Sequence, residues 1–167
     1  MAVAVAAAAA HGSPLRAGAP ELSDVPAAVY LAAAGAAFAA YVAALVLVRR
    51  RGLPLLAACA VAVGIQLVPL AGPLLLSQDV YAYWAYGREA EAHAANPYDT
   101  SPARFAHDPA ERAMAPAWRA SDSVYGPVFT GESAGLADAT GRSAEDAALL
   151  YRLLAAVGML ALVGLAA

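Results

Sequence analysis

The sequence predicts an all-α, polytopic helical membrane protein. Three observations predict it. The chain is 62% hydrophobic with a mean hydropathy of +0.59, more apolar than an ordinary soluble domain. Its apolar residues are gathered into three long runs, each able to cross a hydrocarbon core of roughly 20 helical residues. Those runs carry almost no charge: Ala27 to Val48 has none, Leu53 to Leu76 has Gln66 as its one strongly polar side chain, and Ala147 to Ala167 has Arg152. An uncharged run of that length has no polar face to offer water, which argues against a soluble core helix.

Taken in order, residues 1–25 read as a disordered or frayed lead rich in Ala, Gly and Pro. Met1 to Ala10 is apolar but lacks the basic flank of a signal peptide. Residues 26–76 read as a transmembrane hairpin. Arg49, Arg50 and Arg51 mark its tip, and positive charge in a short connection stays cytoplasmic. Residues 77–146 then fall on the extracytoplasmic side. Residues 147–167 form a third transmembrane helix in which Arg152 must snorkel or find a partner. The chain stops in apolar sequence, so the expectation is an amino-terminal piece of a larger plasma-membrane protein. Cys59 is the single cysteine and can form no intrachain disulfide. A net charge of −3 gives no reason to invoke nucleic acid.

Within 77–146, Asp79 to Ala95 reads as a helix near the membrane surface. Asp79, Tyr83, Tyr86, Ala90 and His93 fall on one face of it. Asn96-Pro97-Tyr98 breaks that helix. Asp99 to Ser123 is polar and punctuated by Pro102, Pro109 and Pro116, a loop long enough to carry function. Gly126-Pro127 forces a turn beside Tyr125. Val128 to Ala139 reads as a short re-entrant or interfacial helix, and Ser143 as the cap that opens the third span.

The candidate chemistry centres on Asp79. A carboxylate where a span ends stays wet enough to ionise and dry enough to be tuned, which suits a general base. Its alternative role is a helix N-cap. Tyr81, Tyr83 and Tyr86 read as substrate contacts or as an interfacial aromatic belt. Arg88 reads as a phosphate or sugar ligand, or as an ion-pair partner of Glu91. Asn96 and Tyr98 read as sugar ligands or as turn residues, Tyr125 as part of a binding wall, and Glu132 as a second acid or an exposed helical residue. The spacing of His93, His107 and Asp108 matches no metal-ligand template, and no metal or cofactor is expected. There is no Walker loop or dinucleotide fingerprint.

Ser77-Gln78-Asp79-Val80-Tyr81-Ala82-Tyr83, Tyr86-Gly87-Arg88, Asn96-Pro97-Tyr98, Trp118-Arg119 and Ser123-Val124-Tyr125-Gly126-Pro127-Val128-Phe129-Thr130 occur in order. This set resembles the actinobacterial polyprenol-phosphate-mannose-dependent α-(1→6)-mannosyltransferases. The resemblance covers about Leu53 to Ala167. It implies a GT-C-like membrane glycosyltransferase that lengthens lipomannan-type chains at the outer face of the plasma membrane. Its donor would be a polyprenyl-phosphate mannose and its acceptor a mannan or glycolipid. An acid in the first large external loop is the family's base, and that role would carry to Asp79. Family members have many more spans, so the donor-lipid site would lie largely outside this chain. Two other classes stay open. One is a non-enzymatic small membrane protein or an inactive fragment. The other is a transporter, against which the scarcity of polar residues in the spans counts.

Overall fold

The computed structural model describes residues 2–10, 13, 24–52, 54–72, 74–75 and 77–166. Of the expected lead, 1, 11–12 and 14–23 lie outside the described residues, as do 53, 73 and 76 of the expected second span. The described elements are helical: α1 (Ala2–Ala9), α2 (Asp24–Arg51), α3 (Leu55–Leu67), α4 (Asp79–Glu91), α5 (Pro109–Ala113), α6 (Pro127–Thr140) and α7 (Ala144–Ala166). Tight 3₁₀ turns occupy Val68–Ala71, Pro102–Phe105 and Pro116–Trp118. The protein is an all-α membrane protein. Two helices are long and apolar enough to cross a bilayer, Val25–Arg50 with 26 residues and Ala144–Leu165 with 22. At 1.5 Å per residue they reach about 39 and 33 Å, beyond a core of roughly 30 Å.

The chain divides into two compact units, Met1–Leu76 with Leu153–Ala167, and Ser77–Arg152. In the first unit α2 leaves large apolar side chains bare on every face; Leu31 and Phe38 are each 67% exposed. A surface so continuously apolar marks contact with lipid. Arg49, Arg50 and Arg51 stand in the last turn of α2 and not in the connection itself. Cations there complement the negative end of the helix dipole. Gly52 follows at φ +74°, and its amide closes on the Val48 carbonyl at 2.8 Å. Only a residue without Cβ takes that left-handed position cheaply.

Two expectations change here. Part of the lead is ordered as α1, because an Ala-rich stretch has the highest helix propensity and α1 has α2 to pack against. The second apolar run is not one continuous helix. Its α-helix ends at Leu67, tightens to a 3₁₀ turn through Pro69 and reaches extended Gly72. The missing N–H and fixed ring of proline explain the break.

The second unit is built on α4 crossing α6, with α5 beside α4. Trp84, completely buried, sits in its core with Ala82, Ala85, Tyr86, Ala110, Met114, Ala137, Ala147 and Tyr151. The aromatics after Asp79 therefore serve chiefly as packing, and Trp84 is no interfacial belt residue. Gly87 lets α4 touch α6: a Cβ there would stand 2.2 Å from the Ser133 carbonyl oxygen. The α4 helix ends at Glu91, short of the expected Ala95. Ala94 turns to φ 47°, and the amides of His93 and Ala95 fold back onto the Arg88 and Glu89 carbonyls. Pro127 occupies the first turn of α6, where its missing N–H costs nothing, and Gly141 at φ 55° ends it. Ser143 Oγ accepts from the Asp146 amide at 3.2 Å, capping α7.

Candidate active site

Asp79 is the first residue of α4, and its side chain is exposed. It is not the N-cap. Gln78 holds that position, and the Asp79 amide donates to Ser77 Oγ at 3.0 Å. Among the described residues no hydrogen bond occupies the Asp79 carboxylate.

Beside Asp79 lies a cavity of about 140 Å³. One wall is a single face of α4, made by Asp79, Ala82 and Tyr86 at helical spacing. The other is the chain from Trp118 through Ser121, Asp122 and Val124 to Tyr125. The Tyr86 hydroxyl donates to the Ser121 carbonyl at 3.1 Å, tying the two walls together. The Ser123 amide donates to the Pro97 carbonyl at 2.7 Å, fixing the loop from behind.

Tyr125 is held by rings. Tyr83 meets it edge-on with centroids 5.0 Å apart, and Phe129 lies 5.3 Å away. Burial, then the neighbouring Tyr83 and the Asp79 charge, push its hydroxyl up to about 12. Tyr125 is thus a neutral phenol at physiological pH. The cavity presents two carboxylates, Asp79 and Asp122, among three aromatic residues. Aromatic faces suit the apolar face of a sugar ring, and carboxylates suit its hydroxyls.

The other expected site residues fall elsewhere in the unit. Tyr81 is half-buried against the core, where burial raises its pKa. Tyr83 stands behind Tyr125 and packs on Phe129 and Tyr151. Arg88 is 5% exposed, and its partner is Asp108 and not Glu91: Nε and Nη2 each donate to that carboxylate at 2.8 Å. Nη1 donates to the Gly141 carbonyl. With every guanidinium nitrogen engaged, Arg88 is a buried tie rather than a ligand of the cavity. Asn96 makes turn bonds, donating to Asp99 at 2.6 Å and accepting from the Tyr98 amide at 3.2 Å. The Tyr98 hydroxyl pairs with Thr130 Oγ1 at 2.9 Å. Glu132 is exposed on α6.

Asp108 also accepts from His93 at 2.9 Å and from the Ala110 amide at 2.9 Å. Burial works against its charge, but the Arg88, Ala110 and His93 bonds hold it down at about 2. Glu89 is the opposite case. It is 2% exposed, and neither carboxylate oxygen has a hydrogen-bond partner among the described residues. Burial first, then the charges of Asp122 and Asp108, raise it to about 8.

Sequence reasoning missed Asp122 and Glu89, and noted Trp118 in a motif without giving it a place in the site. Asp122 lies between two serines in a stretch that reads as turn. Trp118 was visible as an aromatic in a polar loop. Glu89 shares a helical face with Ala82 and Tyr86, a signal that periodicity could have supplied.

Residues 1–167 match the family described as Alpha-(1->6)-mannopyranosyltransferase, N-terminal domain. The chain belongs to that family. It is a glycosyltransferase domain of the alpha-(1->6)-mannosyltransferase kind. No curated protein and no solved structure matches it. A mannosyltransferase uses a sugar donor and an acceptor, and in this one the Asp79 cavity offers sugar-compatible chemistry on a helical membrane scaffold.

Proposed function

We propose that this mannosyltransferase transfers mannose from a polyprenyl-phosphate-linked donor to a growing α-(1→6)-mannan or lipomannan acceptor, with Asp79 as general base. The proton of an acceptor hydroxyl passes to the Asp79 carboxylate. The freed oxygen forms a bond to the anomeric carbon. The bond from that carbon to the donor phosphate breaks, and polyprenyl phosphate leaves with the electron pair. A β-linked donor gives an α-linked product, so the reaction inverts.

The observation that carries this reading is an exposed carboxylate, free of hydrogen bonds among the described residues, opening into a cavity with aromatic walls and a second acid. At about 140 Å³ the cavity is smaller than a whole-ligand pocket and takes one group of a larger molecule. The arginines closing α2 support a cytoplasmic hairpin tip. With the 53–76 run crossing the bilayer as an interrupted span, residues 77–146 face outward, at the outer side of the plasma membrane, where a lipid-linked sugar and a lipid-anchored acceptor meet.

The test is mannosyl transfer in native membranes with polyprenyl-phosphate mannose. Asp79→Asn is expected to lower kcat by about 10²–10⁴ with little change in KM. Asp122→Asn, as a positioning acid, raises KM for acceptor and leaves most of kcat. Near-normal kcat in Asp79→Asn would remove the base assignment. A large loss of kcat only in Asp122→Asn would move the assignment to that residue.

A further inference from the structure

Far from Asp79, past the other end of α4, lies an open groove of about 420 Å³. Glu91, where α4 ends, is about 18 Å along the axis from Asp79 at 1.5 Å per residue. The groove shares no lining residue with the Asp79 cavity. Its lining is basic: Arg104, Arg142, His93 and His107 converge on it from three separate parts of the chain. The single acid among them, Asp108, is spent on Arg88, His93 and the Ala110 amide. Among the described residues the side chains of Arg104 and Arg142 have no ion-pair or hydrogen-bond partner.

This convergence is built from beneath. Buried Arg88 holds Asp108, and through it His93, on one side of the groove. The same guanidinium holds the Gly141 carbonyl, and Arg142 is the next residue. The His93 ring is stacked on Phe105 at 4.0 Å and 11°. One tie therefore sets the placement of both walls. Arg104 and Arg142 are both exposed at the groove, so their guanidinium groups are open to an anion entering from solvent.

We infer that this groove is a binding site for a phosphate group, with Arg104 and Arg142 as its principal ligands. Planar guanidinium forks match phosphate oxygens bidentately. The phosphate belongs either to a free phosphate compound or to a phospholipid headgroup. The inference is independent of the transferase mechanism, since binding is read without turnover.

The test uses the full chain in detergent micelles, titrated by calorimetry with inorganic phosphate and, separately, with a short-chain phosphatidic acid. Saturable binding of inorganic phosphate points to a soluble source. Much tighter binding of the short-chain lipid points to a headgroup. In either case Arg104→Gln and Arg142→Gln each weaken binding by about tenfold, with thermal unfolding unchanged. Arg112→Gln, an exposed arginine outside the groove, leaves it unaltered. No saturable binding of either probe in the millimolar range overturns the inference. So does binding that survives both groove substitutions undiminished.

Discussion

Glu89 holds a proton that its environment will not let go. A carboxylic acid ordinarily near 4.5 is raised to about 8 by burial and by the charges of Asp122 and Asp108. Between those values the folded chain keeps the proton and the unfolded chain has lost it. Stability contributed by neutral Glu89 is therefore full below about 4.5 and declines as pH rises toward 8. Asp108 runs the other way: its contribution is present above 3.8 and is lost as pH falls toward about 2. Glu89→Gln should flatten the alkaline decline, with a gain on the order of 1–2 kcal/mol above pH 8. Denaturant melts of both proteins at pH 6 and pH 9 check it; an unchanged difference between the two pH values would contradict the assignment. At this scale the sequence was only partly legible. Asp79 and Tyr125 could be named, because a carboxylate at a span end and an aromatic beside Gly-Pro are local signals. The roles of Arg88 and Glu89 depend on Asp108 and Asp122, which reach them through folding and not through spacing.

At the scale of elements, the α4–α6 crossing decides the architecture of the second unit. Gly87 allows backbone to meet backbone, so Gly87→Ala must push the helices apart. The expected cost is about 2–4 kcal/mol, more than an ordinary overpacking substitution, because the opposing atoms are carbonyl and not a flexible side chain. Thermal unfolding of the variant measures it. Gly135→Ala, whose Cβ would meet nothing within 4 Å, is the comparison and should be neutral or better. Helix existence was legible: the runs behind α2 and α7 exceed a membrane thickness, and Pro127 with Gly141 punctuates α6. Boundaries were less so. The end of α3 was signalled by Pro69 inside the apolar run, a stop that the reading of one unbroken span passed over. The partner of α6 was hidden: Gly87 inside a helical pattern gives no sign of what approaches it.

For the molecule as a whole, the membrane character rests on α2 and α7 and on the bare apolar surface of α2. The orientation proposed above rests on the arginines that end α2 and on the 53–76 run crossing the bilayer. In a Cys59→Ser background, Val124→Cys should react with a membrane-impermeant maleimide added outside intact cells, since Val124 is 86% exposed. Arg50→Cys should react only after permeabilisation. The reverse pattern would put the Asp79 cavity in the cytosol and remove an outer-face reaction. The general class was readable from hydropathy, whereas the cavity was not. It needs Trp118 and Asp122 brought back over α4, and that return is directed by bonds such as Tyr86 to Ser121 and Ser123 to Pro97.

The contact of Gly87 with Ser133 also governs motion. Peptide groups pressed together have no side chain between them to give way, so the joint has no slack. Tyr125 stands just before α6 and Phe129 in its opening turn, and Asp79 in the opening turn of α4. The rings and the carboxylate are therefore mounted on two helices that meet backbone to backbone. The facing Trp118–Val124 segment is fastened separately, by the Tyr86 hydroxyl at Ser121 and by the Pro97 carbonyl at Ser123.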